Sequence, residues 1–201
     1  DKLKIIPAYY WDFETNCNIS LIPTRRKRYV LFVGGFKHSP NLDGVNWFLS
    51  KIMPKIIQAN PSIGVLIVGS HPPLELVLRS NKSVKILGFV ENLDYLYGLS
   101  FCTIAPLRFG SGIKGKIVDS LRRGVPVVST GIGAEGMHLE NLIHCIVTDN
   151  ESEFADAVIT LFDDLNLQQS LAENGLNYAV ERFSRSAAEL AIRSILDLGI
   201  Q

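Results

Sequence analysis

The sequence predicts an α/β domain built on a parallel sheet of about six strands, and three observations predict it. Short apolar runs of strand character recur along the chain, among them Tyr29–Val33, Gly64–Val68, Val84–Leu87, Phe101–Ala105 and Val125–Val128. Segments with helical spacing separate them. The strand runs are apolar at nearly every position rather than at alternate ones, which marks strands covered on both faces, as in parallel sheets. Right-handed crossovers then make the sheet Rossmann-like and doubly wound, with further helices at the C-terminal end.

Taken in order, residues 1–28 read as an interdomain linker and residues 29–201 as the domain. The linker mixes polar and aromatic residues (Tyr9-Tyr10-Trp11-Asp12-Phe13) and ends in Arg25-Arg26-Lys27-Arg28, a run that reads as a solvated charge cluster at a domain edge. Tyr29–Val33 is a strand closed by the turn Gly34-Gly35. Asn41 or Asp43 is expected to cap a helix through about Ala59, because Val45, Phe48, Leu49, Ile52, Ile56 and Ile57 recur at helical spacing. Gly64–Val68 is the second strand, Pro73–Arg79 a helix, Val84–Leu87 the third strand and Leu93–Leu99 a short helix. Phe101–Ala105 is the fourth strand, closed by Pro106. A helix over 112–123 stops at Gly124. Val125–Val128 and Cys145–Thr148 complete the strands. After Asn150 only helices remain: Glu151–Asp163, Asn166–Arg182 and Ser184–Leu198, the last with a Ser cap.

Composition narrows the function. A chain of 201 residues suffices for one sizeable domain, and 47% apolar with 20% charged residues excludes a disordered or collagen-like chain. Net charge is zero, but residues 1–150 carry +6 (17 basic, 11 acidic) and residues 151–201 carry −6 (3 basic, 9 acidic). Neutrality argues against a nucleic-acid partner, while a basic body can still hold a small anion. No apolar run approaches the roughly 20 residues of a membrane-spanning helix, and no signal peptide is visible. Cys17, Cys102 and Cys145 are widely spaced with no CxxC pair, so a zinc site or disulfide framework is not expected and a cytoplasmic location is. The first residue is not Met, so a piece of a longer protein is expected.

Ligands of an open parallel sheet bind beyond the carboxyl ends of its strands. Those ends are rich in glycine, most of all Pro106–Lys116. Gly110 and Gly112 let the backbone approach a ligand. A helix that starts near Ser111 or Gly112 points its free N–H groups out of the loop, which suits a phosphate. Arg108, Lys114 and Lys116 add positive charge there. On a helix of that length Lys114 lies in the first turn, where a cation opposes the dipole unless an anion sits nearby. The alternative is a solvated lysine pair. No Gly-Lys-Ser/Thr follows at Walker A spacing, and Gly34-Gly35 opens no G-x-G-x-x-G. Asp119, two turns along the helix, suits a ribose diol or is simply solvated. Glu135 is either the N-terminal residue of a short helix or a ligand contact. His38 and His71 follow strand ends without a second ligand spaced for a metal, and no D-x-D stands at a strand end, so neither metal nor cofactor is expected.

Four stretches together resemble the C-terminal domain of GT-B-fold glycosyltransferases of family 4 (group 1). They are Leu31-Phe32-Val33-Gly34-Gly35 with His38-Ser39-Pro40-Asn41; Leu66-Ile67-Val68-Gly69; Gly88-Phe89-Val90; and Ala105-Pro106-Leu107-Arg108 through Gly124-Val125-Pro126-Val127-Val128-Ser129-Thr130. Glu181-Arg182-Phe183-Ser184 before a last helix also fits. The resemblance covers roughly 29–198 and is most specific over 106–130. It implies one half of a GT-B fold, and a retaining, metal-independent enzyme that moves a sugar from a nucleotide-diphosphate sugar to a glycan or lipid-linked acceptor, as in polysaccharide synthesis. Arg108 and Lys114 would stabilise the leaving diphosphate. Donor contacts would come from Gly34, Gly35, His38, Phe89, Val90, Gly110, Ser111, Gly112, Ile113, Lys116, Asp119 and Glu135. Phe89-Val90 would meet the base, and Asp119 matches the acidic residue that holds the ribose. Ser111 stands where the family has its other acidic residue, and Gly35 where it has an arginine, so lysines supply the charge here. The acceptor site would lie in an N-terminal domain outside this chain, with the whole enzyme at the cytoplasmic membrane face, and the piece alone would bind donor weakly and transfer no sugar. The alternatives are a GT-B sugar-nucleotide epimerase and a noncatalytic nucleotide-binding module.

Overall fold

Val30, Leu31 and Phe32 are completely buried, so consecutive residues of the first strand find cover on opposite faces. The computed structural model describes residues 28–197; apart from Arg28, the expected linker lies outside the described residues. The strands β1 (Tyr29–Val33), β2 (Gly64–Val68), β3 (Val84–Gly88), β4 (Ser100–Ala105), β5 (Val127–Ser129) and β6 (Ile146–Val147) form one parallel sheet in the order β3-β2-β1-β4-β5-β6. The expected Rossmann-like doubly wound sheet is therefore present. Its two halves wind apart from the seam between β1 and β4.

Nine helices are described: α1 (Ser39–Trp47), α2 (Met53–Ala59), α3 (Leu74–Val77), α4 (Asp94–Leu99), α5 (Gly115–Leu121), α6 (Gly131–Ala134), α7 (Glu151–Asp163), α8 (Leu165–Phe183) and α9 (Arg185–Asp197). One face of the sheet presents Val30, Phe32, Val65, Ile67 and Ile104 to α1, α2 and α7. Phe154 of α7 meets Trp47 and Phe48 edge-on, with ring centroids 6.0 and 6.2 Å apart. The other face presents Leu31, Leu66 and Val68 to α4, and Ala105 and Val127 to α5 and α8. Burial at about 25 cal/mol per Å² of apolar surface drives both faces together.

Several boundaries differ from expectation, each for a local reason. The helix expected from Asn41 or Asp43 begins at Ser39 after His38, with Pro40 in its first turn, where a missing N–H costs nothing. It does not run unbroken to Ala59. A π-helical turn, Phe48–Ile52, intervenes, in which Met53 N–H donates five residues back to Phe48 O. Pro54 follows immediately and has no N–H for an α-helical bond, so the register slips just before it. The regular part of the helix expected over Pro73–Arg79 is Leu74–Val77. The helix expected over 112–123 spans only Gly115–Leu121. Gly110 and Gly112 hold φ of +116° and +79°, which no helix accepts, so the loop runs on to Lys114. The fifth strand starts at Val127 rather than Val125: Val125 N–H bonds Ser120 O at the end of α5, and Pro126 has no N–H. The three C-terminal helices fall where expected, and Ser184 Oγ accepts from Ala187 N–H at 3.1 Å as the cap of α9.

Candidate functional site

The seam between β1 and β4 is where connections leave in opposite directions, and a crevice opens there at the carboxyl ends of the strands. It holds a cleft of about 470 Å³. Val33, Gly34, His38 and Asn41 form the wall that follows β1. Leu107, Ser111, Ile113, Lys114, Gly115, Lys116 and Asp119 form the wall that follows β4. The starts of α1 and α5 both face it, and neither has a side-chain cap. The starts of α2, α3 and α4 likewise lack a side-chain cap, whereas Thr130, Asn150 and Asp164 cap α6, α7 and α8. Among the described residues, neither His38 nor Lys114 caps the first N–H groups at the cleft with its side chain.

Lys116 stands in the first turn of α5 and sends its ammonium group inward. Nζ donates to Asn41 Oδ1 at 2.5 Å and lies 4.2 Å from the centroid of the Phe32 ring, a cation–π contact. The residue as a whole is half-buried, and its ammonium group is held between Asn41 and the fully buried Phe32. Burial in the first place, and Lys114 in the second, push its pKa down to about 7 from 10.5. Among the described residues no carboxylate forms an ion pair with it.

Lys114 is not in the first turn of α5, as the longer helix required, but precedes it as the N-cap residue. Its Nζ folds back to donate to Gly112 O at 2.6 Å. The expected opposition between Lys114 and the helix dipole therefore does not arise; Lys116 is the lysine in that place. Arg108 is half-exposed and forms a two-pronged pair with Asp43 of α1, with Nε–Oδ2 at 2.8 Å and Nη2–Oδ1 at 2.5 Å.

Asp119 lines the cleft but is already engaged. Oδ1 accepts from Arg122 Nε at 2.7 Å and from Arg123 Nη1, and Oδ2 accepts from Tyr97 O–H at 3.1 Å. Burial, then the Asp119 charge, raise the pKa of Tyr97 far above that of a free phenol, so the hydroxyl stays a donor.

Seven of the residues expected to contact a ligand thus line one cleft: Gly34, His38, Ser111, Ile113, Lys114, Lys116 and Asp119. Gly35 is next to it, with its carbonyl accepting from Asn41 Nδ2 at 2.9 Å. Arg108, Gly110 and Gly112 belong to the same loop but do not line the cleft. Phe89, 74% exposed, and Val90 follow β3, away from the lining. Glu135 does not begin a helix; it ends α6, whose N-cap is Thr130, and its side chain is exposed. Asn41, read from sequence as a helix cap, is instead a buried cleft residue. One signal pointed to it: it precedes Val45 by four residues and Phe48 by seven, so it shares their inward face, where a polar side chain needs a partner.

The model for "Glycosyl transferases group 1" matches residues 27–164, a stretch with the whole sheet and both walls of the cleft. The chain belongs to the group 1 glycosyltransferases. A relative within reach of sequence is an uncharacterized 44.6 kDa protein in the cps region of Klebsiella pneumoniae, 27% identical over 163 residues, which are 77% of this chain and 42% of that protein. This group 1 chain therefore spans less than half of its curated relative. Among solved structures, sucrose-phosphate synthase from Thermosynechococcus elongatus superposes with a TM-score of 0.73 at 16% identity, over 97% of this chain and 52% of that one. HepE from Anabaena, in complex with UDP and glucose, gives 0.72 at 17% identity, over 94% and 55%. TarM gives 0.71 at 13%, over 88% and 36%. At these identities the likeness is one of fold. No described helix of this glycosyltransferase domain is long and apolar enough to cross a membrane.

Proposed function

We propose that this chain is the donor-binding part of a retaining glycosyltransferase, which takes a nucleotide-diphosphate sugar and passes the sugar to a glycan or lipid-linked acceptor held by a domain outside this chain. The observation that carries the proposal is the covered ammonium group of Lys116 at the cleft, with which no carboxylate among the described residues forms an ion pair. A lysine in such a place loses solvation without gaining a counter-charge, and an anion in the cleft restores the balance. The uncapped starts of α1 and α5 favour the same kind of ligand. HepE, which shares the fold, is captured with UDP and glucose, and this makes a nucleoside diphosphate the reasonable anion.

In this proposal Lys116 and Lys114 meet the diphosphate, and Arg108 joins them by leaving Asp43. Negative charge grows on the diphosphate as the sugar departs, and cations fixed beforehand at that place lower the barrier. Asp119 offers its cleft-facing edge to the ribose, held in place by Tyr97 and two arginines. Phe89 and Val90 lie nearer the base.

Calorimetric titration with UDP, GDP and ADP and their monophosphates tests this. One diphosphate should bind roughly tenfold or more tightly than its monophosphate, and Lys116→Met should erase that margin. Equal affinity for mono- and diphosphates, or a margin that survives Lys116→Met, would remove Lys116 from the diphosphate site.

A further inference from the structure

We propose that Asn41 is a positioning residue of this site, tying Lys116 to the turn after β1 with a neutral amide so that the bound diphosphate, and not the protein, supplies the lysine's counter-charge. The inference rests on the functional reading above. Asn41 is 6% exposed, and both ends of its amide are used. Nδ2 donates to Gly35 O at 2.9 Å and Oδ1 accepts from Lys116 Nζ at 2.5 Å. One side chain thereby joins the wall that follows β1 to the wall that follows β4. Gly34 makes room for this bridge: a Cβ there would stand 2.8 Å from Asn41 Nδ2 and 2.9 Å from Lys116 Nζ.

The choice of an amide has a chemical consequence. An amide oxygen satisfies one N–H of the ammonium without a full negative charge. A carboxylate at the same point would form a permanent ion pair and compete with the ligand. An apolar residue would leave the ammonium without its acceptor and free the lysine stem to swing. The other groups around Lys116 do not replace Asn41. His38 at the start of α1 and Lys114 share the cleft, the Tyr97 hydroxyl on α4 is donated to Asp119, and Asp119 is paired with Arg122 and Arg123. The depressed pKa of Lys116 agrees with an ammonium held but not neutralised.

The test compares wild type with Asn41→Asp and Asn41→Ala, following two quantities. The first is the titration of Lys116 by NMR in the ligand-free chain. The second is the affinity, across pH, for whichever of UDP, GDP and ADP binds wild type most tightly. In Asn41→Asp the Lys116 midpoint should rise by about one pH unit or more, and affinity should fall roughly tenfold. In Asn41→Ala the midpoint should fall, and the loss of affinity should be greatest at high pH. A purely structural Asn41 would weaken binding equally at every pH and leave the midpoint unmoved in Asn41→Ala, and that result overturns the proposal. If no diphosphate binds wild type, the functional reading fails, while the ligand-free titrations still decide the role of Asn41. Should a variant not fold, wild type carries its own check. At about pH 8, calorimetry in two buffers of different ionisation heat should show proton uptake on diphosphate binding. Binding without uptake overturns the proposal.

Discussion

Lys116 leaves the first turn of α5 and ends between Asn41 and the face of Phe32, and its protonation there acts back on the stability of the fold. Its folded pKa of about 7 lies below the ordinary 10.5. Between those values the unfolded chain holds a proton that the folded chain lacks, so stability rises with pH across this window. Below it the lysine is charged in both states and the desolvation penalty is present in full. Lys116→Met should therefore raise the melting temperature of the ligand-free chain most at about pH 6, with the gain shrinking toward about pH 10. A gain that does not vary with pH would show that the lysine is not held against its charge. The basic residues of the 106–116 loop were legible in sequence as a set, because they cluster around glycines. Which lysine turns inward was not legible, since it depends on where α5 begins, and the positive φ of Gly112 moves that start to Gly115.

Among the elements, strands were easier to read than helix starts. β1 and β2 have the bounds their apolar runs suggest, because a strand covered on both faces excludes polar residues at every position. The starts of α1 and α5 were misplaced because a capping side chain, the usual mark of a helix start, is missing at both. The π-helical turn before Pro54 likewise has no periodic signature, since a slip of one residue leaves apolar side chains on the inward face. The turn after β1 makes a prediction of its own. Gly34→Ala places a methyl within 2.9 Å of both Asn41 and Lys116. Overpacking of this kind should cost about 1–3 kcal/mol in denaturant unfolding, together with loss of diphosphate binding. A stable Gly34→Ala chain that binds normally would mean that the bridge can form elsewhere.

For the molecule as a whole, the charge asymmetry read from sequence acquires a location. The acidic stretch 151–201 includes all of α7, α8 and α9, and the cleft is lined by none of them. The fold class was legible because alternating apolar strands and helices allow few handed arrangements. The cleft was legible only as a set of strand ends, because its shape needs both walls at once. The strand order has one more consequence. β1 and β4 are neighbours in the sheet although 66 residues separate Val33 from Ser100 in the chain, and each brings one wall. Binding of the proposed ligand across both walls would thus be coupled to the closing of a long-range seam, and the ligand would act as a fastener of the folded chain. Saturation with diphosphate at about a hundred times its Kd should add about 2.7 kcal/mol to global stability. Hydrogen exchange should place that protection at the seam, on the amides that pair Tyr29–Leu31 with Ser100–Thr103, more than on the outer strands β3 and β6. Protection confined to surface loops would mean that the two halves of the sheet close without help from the nucleotide.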